Sequence, residues 1–303
     1  MIRRSVVTII AFFGLIIASS ALSPAADAAT NAELVPGSRI VFPYYDLRPE
    51  YTTLLFLTNT SSSPVSVALE FYDASCARQD ATVGLSAGDI NLIDPRQVIS
   101  ATAFGSFLQG FIDVTTGADA LIGTAVIVNV AADWAIAYNG APARRQTDGI
   151  TPFEPYPTRL FLPAFLTGGQ LGNGDLTDGL LIVAAPHPTL PGAELPDKPV
   201  QASAEVFLEQ EGSTVGHGQH HPPDVTQRSS GFSGHYMMLP IGAVAGISTP
   251  TLGWLSITNH AVDDTTGIRF GLVGLYIQTL LGSDGGSAMT IRLSGDPTTA
   301  PAP

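Results

Sequence analysis

The sequence contains many short stretches that are apolar or that alternate between apolar and polar residues, and no convincing amphipathic helix. Residues 65–72 (VSVALEFY) alternate strictly, with Val65, Val67, Leu69 and Phe71 on one face. Strict alternation is typical of a β-strand with one buried face. Because turn residues separate these stretches, the sequence predicts an all-β fold made of sandwiches or barrels.

The predicted strands recur in the same order in the second half of the chain. Residues 39–44 (RIVFPY) match 159–164 (RLFLPA), and each has proline at the fifth place. Four further matches follow in order: 53–57 with 179–183, 65–72 with 202–208, 122–129 with 252–259, and 135–138 with 273–276. The ordered recurrence predicts an internal duplication.

The duplication predicts two tandem domains. The first is residues 29–150, and the second is residues 151–294 with a Pro-rich insertion at 184–199 and a His-rich insertion at 212–230. Residues 295–303, which are mostly Pro, Thr and Ala, are expected to be a disordered tail.

The N-terminus has the three parts of a secretory signal peptide. Arg3 and Arg4 precede an apolar run at 6–18, and the small-residue sequence Ala26-Asp27-Ala28 follows. This order predicts a signal peptide of residues 1–28 with cleavage before Ala29, and Ala25 is a competing site. The mature chain is therefore expected outside the cytoplasm: secreted, periplasmic or at the cell surface. No later apolar stretch approaches the roughly 20 residues of a membrane span.

Composition narrows the candidate partners. The chain has 13 Lys and Arg residues against 26 Asp and Glu, a formal net charge of −13. Such a surface repels nucleic acid. A single cysteine, Cys76, cannot form an internal disulfide, so the fold must depend on its hydrophobic core.

One segment carries a family resemblance. A strand ends in Thr58-Asn59, a Ser/Pro turn follows at 60–64, the alternating strand comes next, and Leu85–Asp89 (LSAGD) forms another turn. This pattern resembles the immunoglobulin-like domains of bacterial exported surface proteins. The resemblance implies two tandem immunoglobulin-like β-sandwich domains that bind, adhere or assemble, with no catalytic residues to carry over. Apart from the candidate zinc and calcium sites below, the sequence predicts no cofactor.

Clustered imidazoles raise the question of a metal site. His217, His220 and His221 lie in the His-rich insertion, and His235 follows it. Imidazoles are ligands of zinc and related metals. The alternative is a solvated polar loop, because Gly and Pro interrupt the segment and no strand fixes the spacing.

A second candidate metal site is a Gly-rich turn. Asn173, Asp175 and Asp178 lie in GNGDLTDG, and oxygen ligands spaced along such a turn can hold calcium. The alternative is an ordinary turn, since Asn, Asp and Gly are common turn residues and no glutamate closes the loop.

Three functions compete. The first is a non-catalytic exported structural, adhesive or assembly protein with a protein or cell-surface partner, self-association included. The apolar residues Ala32–Pro36 are a candidate segment for pairing with a neighbouring copy. The second is a module that binds carbohydrate or a metal ion, and the third is an extracellular hydrolase. The site rather than the fold decides among them.

Export predicts a defined N-terminus. Intact-mass analysis of the extracellular protein should give the mass of residues 29–303. A mature extracellular chain that retains Arg3 and Arg4 would contradict cleavage.

Overall fold

The computed structural model describes residues 35–75, 77–100, 105, 107–147, 152–171, 174–187, 201–208, 225–226, 232–233, 235–246, 249–262, 267–282 and 285–295. All of the strands it describes lie in one compact structural unit, Pro36–Pro303. Within these residues, no helix has the length and apolar character needed to cross a membrane.

The described chain is almost entirely β-structure, as expected from the sequence. The strands of the first half are β1 Arg39–Asp46, β2 Tyr51–Asn59, β3 Val65–Asp73, β4 Arg78–Leu85, β5 Ile90–Ile93, β6 Gln109–Thr116, β7 Leu121–Asn129, β8 Trp134–Asn139 and β9 Ala141–Ala143. Those of the second half are β10 Arg159–Leu166, β11 Gly169–Gln170, β12 Leu176–Ala184, β13 Gln201–Leu208, β14 Val225–Thr226, β15 Phe232–Ser233, β16 Tyr236–Pro240, β17 Leu252–Asn259, β18 Val273–Gly282, β19 Gly285–Arg292 and β20 Ser294–Gly295. The described residues also contain two short helices, α1 Pro95–Val98 and α2 Ile241–Ala245.

These strands form four sheets, which we number 1 to 4. Sheet 1 has the order β5-β2-β7-β8, and sheet 2 has the order β4-β3-β6-β1-β9. Sheet 3 has the order β11-β12-β18-β19, with β16 also paired to β12. Sheet 4 has the order β14-β13-β17-β10-β20, with β15 also paired to β13.

The same strand order occurs in both halves. Sheet 2 centres on β3-β6-β1-β9, and sheet 4 repeats it as β13-β17-β10-β20. In sheet 1, β2 lies between β5 and β7, as β12 lies between β16 and β18 in sheet 3. Helix α1 follows β5, and α2 follows β16. The positions of β1, β2 and β3 therefore correspond to those of β10, β12 and β13, as the sequence matches predict.

The prolines shared by β1 and β10 lie at equivalent irregularities. The register of β1 against β6 shifts between Phe42 and Tyr45, where Pro43 lies. The register of β10 against β17 shifts between Leu162 and Phe165, where Pro163 lies. Proline has no amide hydrogen for the strand ladder, so a bulge is a position where it is tolerated.

The last two sequence matches are wrong by one strand. Strand β17 was matched with β7, but it pairs with β10 and β13 and so occupies the position of β6. Strand β18 was matched with β8, but it pairs with β12 as β7 pairs with β2. The corrected pairs are β6 with β17, β7 with β18, and β8 with β19.

Sheets 1 and 2, sheets 2 and 3, and sheets 3 and 4 pack on one another, and the edge strand β8 of sheet 1 also contacts β19 of sheet 3. Between sheets 1 and 2, a Cβ placed on Gly123 would lie only 2.6 Å from Cζ of Phe42. Between sheets 2 and 3, the rings of Phe111 and Tyr236 stack with centroids 6.3 Å apart. Between sheets 3 and 4, Val183 and Leu255 belong to one cluster of buried residues. Sheets 2 and 3 are therefore packed on both faces, although their edge strands remain partly exposed.

The all-β prediction is confirmed, but the immunoglobulin-like part of it is not shown. An immunoglobulin domain has sheets of four and three strands in its seven-stranded form. The first half instead has sheets of five and four strands. Strands β3 and β6 pair in sheet 2, although β4 and β5 come between them in the sequence. The signal peptide, much of both insertions and the tail lie outside the described residues. The domain boundaries stay a prediction.

Buried tyrosines predict how the fold responds to alkaline pH. Seven of the eight tyrosines have a pKa raised above 10.0, with burial as the first cause. For Tyr276, burial raises the pKa to about 12, although a hydrogen bond to the carbonyl of Leu166 opposes the shift. The seven are Tyr44, Tyr45, Tyr72, Tyr138, Tyr156, Tyr236 and Tyr276.

A folded-state pKa above the unfolded value stabilises the fold fully below about pH 10, and this stability is lost as the pH rises toward the folded value. We therefore expect alkaline unfolding above about pH 10, with tyrosinate absorbance appearing together with the loss of circular dichroism. The urea-unfolded chain, as control, should titrate near pH 10 without a cooperative step. Gradual ionisation of these tyrosines near pH 10 in a chain that stays folded would contradict the prediction.

Candidate functional site

The face of sheet 2 that meets sheet 3 contains a buried ion pair. Arg39 on β1 donates from Nε to Oδ1 of Asp113 on β6 at 3.0 Å, and from a terminal nitrogen to Oδ2 at 2.5 Å. The two side chains are only 1% and 2% exposed. Val41 lies opposite Asp113 in the ladder, so Arg39 reaches its partner diagonally along one face.

Aromatic rings from the segment between the halves enclose the guanidinium. The rings of Phe153 and Tyr156 each have their centroid 5.6 Å from the Arg39 guanidinium carbon. Burial by itself lowers the pKa of Arg39, but the charge and hydrogen bonds of Asp113 outweigh it, so the pKa lies above its ordinary value. Arg39 therefore stays charged and attracts the ring faces.

Sheet 4 has an arginine at the equivalent position, with different partners and in a different environment. Arg159 on β10 donates from Nε to Oγ of Ser256 at 2.7 Å, and from a terminal nitrogen to Oε2 of Glu205 at 3.4 Å. By strand position, Arg159 corresponds to Arg39 and Ser256 to Asp113. The side chains of Arg159 and Glu205 are 32% and 41% exposed, so the equivalent polar group faces solvent.

Aromatic and aliphatic residues surround this polar group. Phe161 and Trp254 are both half-buried, and their ring centroids are 5.5 Å apart. Leu252, at the start of β17, is 51% exposed. We call this surface the exposed face of sheet 4; its members are Arg159, Phe161, Ser203, Glu205, Leu252 and Trp254.

A serine and a histidine meet at the same face. Oγ of Ser203 on β13 lies 2.8 Å from Nε2 of His260, which follows β17. A serine becomes a nucleophile when a base accepts its proton and a third group orients that base. The pair is exposed, so it is also an ordinary polar contact of a solvated sheet face.

Sheet 1 has an apolar surface on the side away from sheet 2. Ile90 and Leu92 on β5 are 64% and 53% exposed. We call this surface the exposed face of sheet 1; its members are Leu54, Phe56, Ile90, Leu92 and Ile122. Contiguous exposed apolar surface often marks an interaction site.

A cleft of about 590 Å³ lies where the two halves meet, beside β9 and β20. Its lining includes Glu154, Tyr156, Arg269 and Arg292 together with aliphatic residues. One terminal nitrogen of Arg292 is buried and has no hydrogen-bond partner among the described residues. The cleft has the volume of a small-ligand pocket, and arginine favours an anionic group.

The structure places one of the four predicted metal-binding histidines. His235 is buried, its Nδ1 lies 3.2 Å from the carbonyl oxygen of Ala185, and its ring packs edge-on against Phe270 at 5.2 Å. His217, His220 and His221 lie outside the described residues. The zinc site stays a prediction.

The predicted calcium ligands are placed in part. Asp175 packs against Gly282, and the exposed Asp178 on β12 packs against Gly168. Asn173 lies outside the described residues. Within the described part of the chain, His, Cys, Asp and Glu side chains form no group of three or more suited to a metal ion. The calcium site stays a prediction.

Sequence analysis missed the Arg39–Asp113 pair and the exposed face of sheet 4. The available signal was the arginine shared by RIVFPY and RLFLPA, which marks equivalent positions in the two halves. Asp113 gave no signal, because an isolated acidic residue inside a short strand indicates an exposed position rather than a buried one.

Comparisons with known proteins add little. No protein-family model matches the chain, and no curated protein matches it. One solved structure, titled "Crystal Structure of Thermotoga maritima 1070", aligns with a TM-score of 0.31 and 12% sequence identity. The alignment covers 46% of this chain and 96% of that one. A similarity at this TM-score assigns neither a fold nor a function.

The two arginines provide a matched pair of stability measurements. Arg39→Met leaves Asp113 buried without a counter-charge, and we expect it to lower the free energy of unfolding by about 3–5 kcal/mol. Arg159→Met removes an exposed pair and should cost about 1 kcal/mol or less. Urea unfolding monitored by circular dichroism measures both values.

A double variant separates charge from packing. Arg39→Met combined with Asp113→Leu removes both charges and should recover most of the lost stability. Equal losses for Arg39→Met and Arg159→Met would show that the buried pair has no special role.

Proposed function

We propose that the protein is a non-catalytic exported structural, adhesive or assembly protein that acts by contact through its sheet faces. The observation that carries the proposal is a pair of equivalent arginines in two environments. The sheet face around Arg39 is buried between sheets, whereas the equivalent face around Arg159 is exposed. A surface built like the inside of an intramolecular interface, but exposed, is suited to receive a partner.

The composition of this face supports a role in binding. Interfaces are enriched in aromatic residues and arginine, and these residues account for most of the binding energy. The exposed face of sheet 4 contains Phe161, Trp254 and Arg159 side by side. Export of the mature chain, predicted from residues 1–28, would present the face to extracellular or periplasmic partners.

We also infer that the halves are immunoglobulin-like β-sandwich domains related by duplication. The recurrent strand order and the equivalent bulges at Pro43 and Pro163 support the duplication. The alternation of strands between two sheets supports the sandwich. The additional strands β4 and β5 make the first half larger than the seven-stranded form.

Carbohydrate binding is the second candidate, and the same aromatic pair favours it. Half-exposed Phe161 and Trp254 offer ring faces, and Ser203, Glu205 and His260 supply hydrogen-bonding groups nearby. Binding sites combine apolar surface with a few well-placed polar groups. Trp254 is one of two tryptophans, so a Trp134→Phe variant makes its fluorescence a reporter of this face.

The proposed role predicts that the exposed face of sheet 4 keeps the protein attached to the cells that produce it. Trp254→Asp places a charge on the face, and we expect the fraction retained by producing cells to fall about tenfold or more, equivalent to about 1.4 kcal/mol. Thr82→Asp, an exposed position on β4, is the matched control and should leave retention unchanged. Immunoblots of the cell and medium fractions measure retention.

The other outcomes identify the competing functions. Equal retention of wild type and Trp254→Asp would contradict a contact role for this face. Quenching of Trp254 fluorescence by a glycan, in the Trp134→Phe variant, would favour carbohydrate binding. Turnover of an ester, peptide or glycoside that is lost in both Ser203→Ala and His260→Ala would favour a hydrolase.

A further inference from the structure

We propose that the exposed face of sheet 4 binds the exposed face of sheet 1 of a second copy of this chain, so that copies associate head to tail. The inference rests on the proposed function, because it names the partner of the same face. The chain itself supplies the template, since the equivalent faces of sheets 2 and 3 already pack together within one molecule.

Two contacts define that template. On sheet 2, Nε2 of Gln109 lies 3.8 Å from Sδ of Met238 on sheet 3. Next to it, the ring of Phe111 stacks on that of Tyr236. Gln109 and Phe111 belong to β6, and Tyr236 and Met238 belong to β16.

Strand registers transfer these contacts to the two exposed faces. Gly110 lies opposite Tyr45, and Gly253 lies opposite Phe165 at the equivalent bulge, so Gln109 corresponds to Leu252 and Phe111 to Trp254. The residues of β5 that face away from sheet 2 take the positions of Tyr236 and Met238 in β16. These residues are Ile90, which corresponds to Tyr236, and Leu92, which corresponds to Met238.

The transfer predicts two contacts between copies: Leu252 with Leu92 of the second copy, and Trp254 with Ile90 of the second copy. Leu252, Leu92 and Ile90 are all among the most exposed large apolar residues described. Contact between the two faces would remove them from water at once. A polar residue of the template, Gln109, is replaced by Leu252, so this contact becomes apolar on both sides.

Burial of the exposed face of sheet 4 would not leave the charge of Arg159 without a partner. Arg159 already contacts Ser256 and Glu205 within its own sheet, so the cation has partners before a second copy arrives. A buried charge is tolerated when it is paired and hydrogen-bonded. In the template, Arg39 is likewise paired and hydrogen-bonded, to Asp113, on the face of sheet 2 that sheet 3 covers.

The geometry implies growth rather than closure. The two faces are different surfaces on different sheets, so one contact leaves one exposed face of each kind. Contacts between unlike surfaces give rings when the rotation closes and filaments when it does not. A symmetric dimer through one face is not what this pairing produces.

Sedimentation velocity of the purified mature protein tests the proposal. We expect the sedimentation coefficient of wild type to rise with concentration. Leu92→Asp and Leu252→Asp should each weaken association at least about tenfold, since each places a charge in an apolar contact. A mixture of the two variants keeps one intact pair of faces and should form dimers but nothing larger. Thr82→Asp is the control for an added charge elsewhere.

Cysteine trapping provides a second measurement that does not depend on affinity. In a Cys76→Ser background, the double variant Leu92→Cys, Leu252→Cys should give a ladder of covalent multimers under mild oxidation. A mixture of the two single variants should give covalent dimers only. Urea unfolding curves matching that of wild type establish that the variants fold.

Three results would overturn the inference. They are a wild-type chain that stays monomeric at all concentrations with no covalent ladder, dimers trapped by Leu92→Cys alone, and dimers trapped by Leu252→Cys alone. If Trp254→Asp still releases the protein from cells, the proposed function stands and the partner is another molecule.

Discussion

The fold depends on sheet 2 being covered on both of its faces. Every residue of β1 is buried, so neither face of this strand tolerates water. Sheet 1 covers one face, where Phe42 packs against Gly123, and sheet 3 covers the other, where Phe111 meets Tyr236. Because sheet 3 belongs to the second half, the core of the first half is completed only when the second half packs on it. This requirement explains why residues of both halves form one continuous buried cluster.

The Arg39–Asp113 pair makes that packing specific. Transfer of two charges from water costs several kcal/mol each, and their attraction repays this only with good geometry and full hydrogen bonding. Three hydrogen bonds join the pair, and Phe153 and Tyr156 on the connection between the halves cover the guanidinium. A different placement of the segment that connects the halves would remove Phe153 and Tyr156 from the Arg39 guanidinium. In sheet 4, Arg159 performs no such task, and its surroundings are correspondingly exposed.

The strand patterns and prolines made the architecture partly predictable from sequence. Alternation identified β3, and the shared arginine and proline identified β1 with β10. The matching of the halves failed at β6, where Gln109 and Asp113 stand at the positions of Leu252 and Ser256 in β17 and made the two strands look less alike than β7 and β17. With β6 unrecognised as the equivalent of β17, each later match moved by one strand. Alternation also assigned one buried face to β3, whereas Glu70 and Tyr72 on the other face are buried as well. The packing of one half on the other is a long-range property that no single strand reveals.

Covalent linkage and free association differ in energy even when the contacting faces are alike. Within one chain, the segment between the halves keeps sheets 2 and 3 at a high effective concentration, so their contact forms in every molecule. Between copies, the same kind of contact must overcome the entropy of association and the repulsion of chains with a net charge of −13. Repulsion between copies falls as salt screens the charges, whereas apolar contact does not depend on charge. Association through a pair of exposed faces on an acidic chain is therefore expected to strengthen as protein concentration and ionic strength rise.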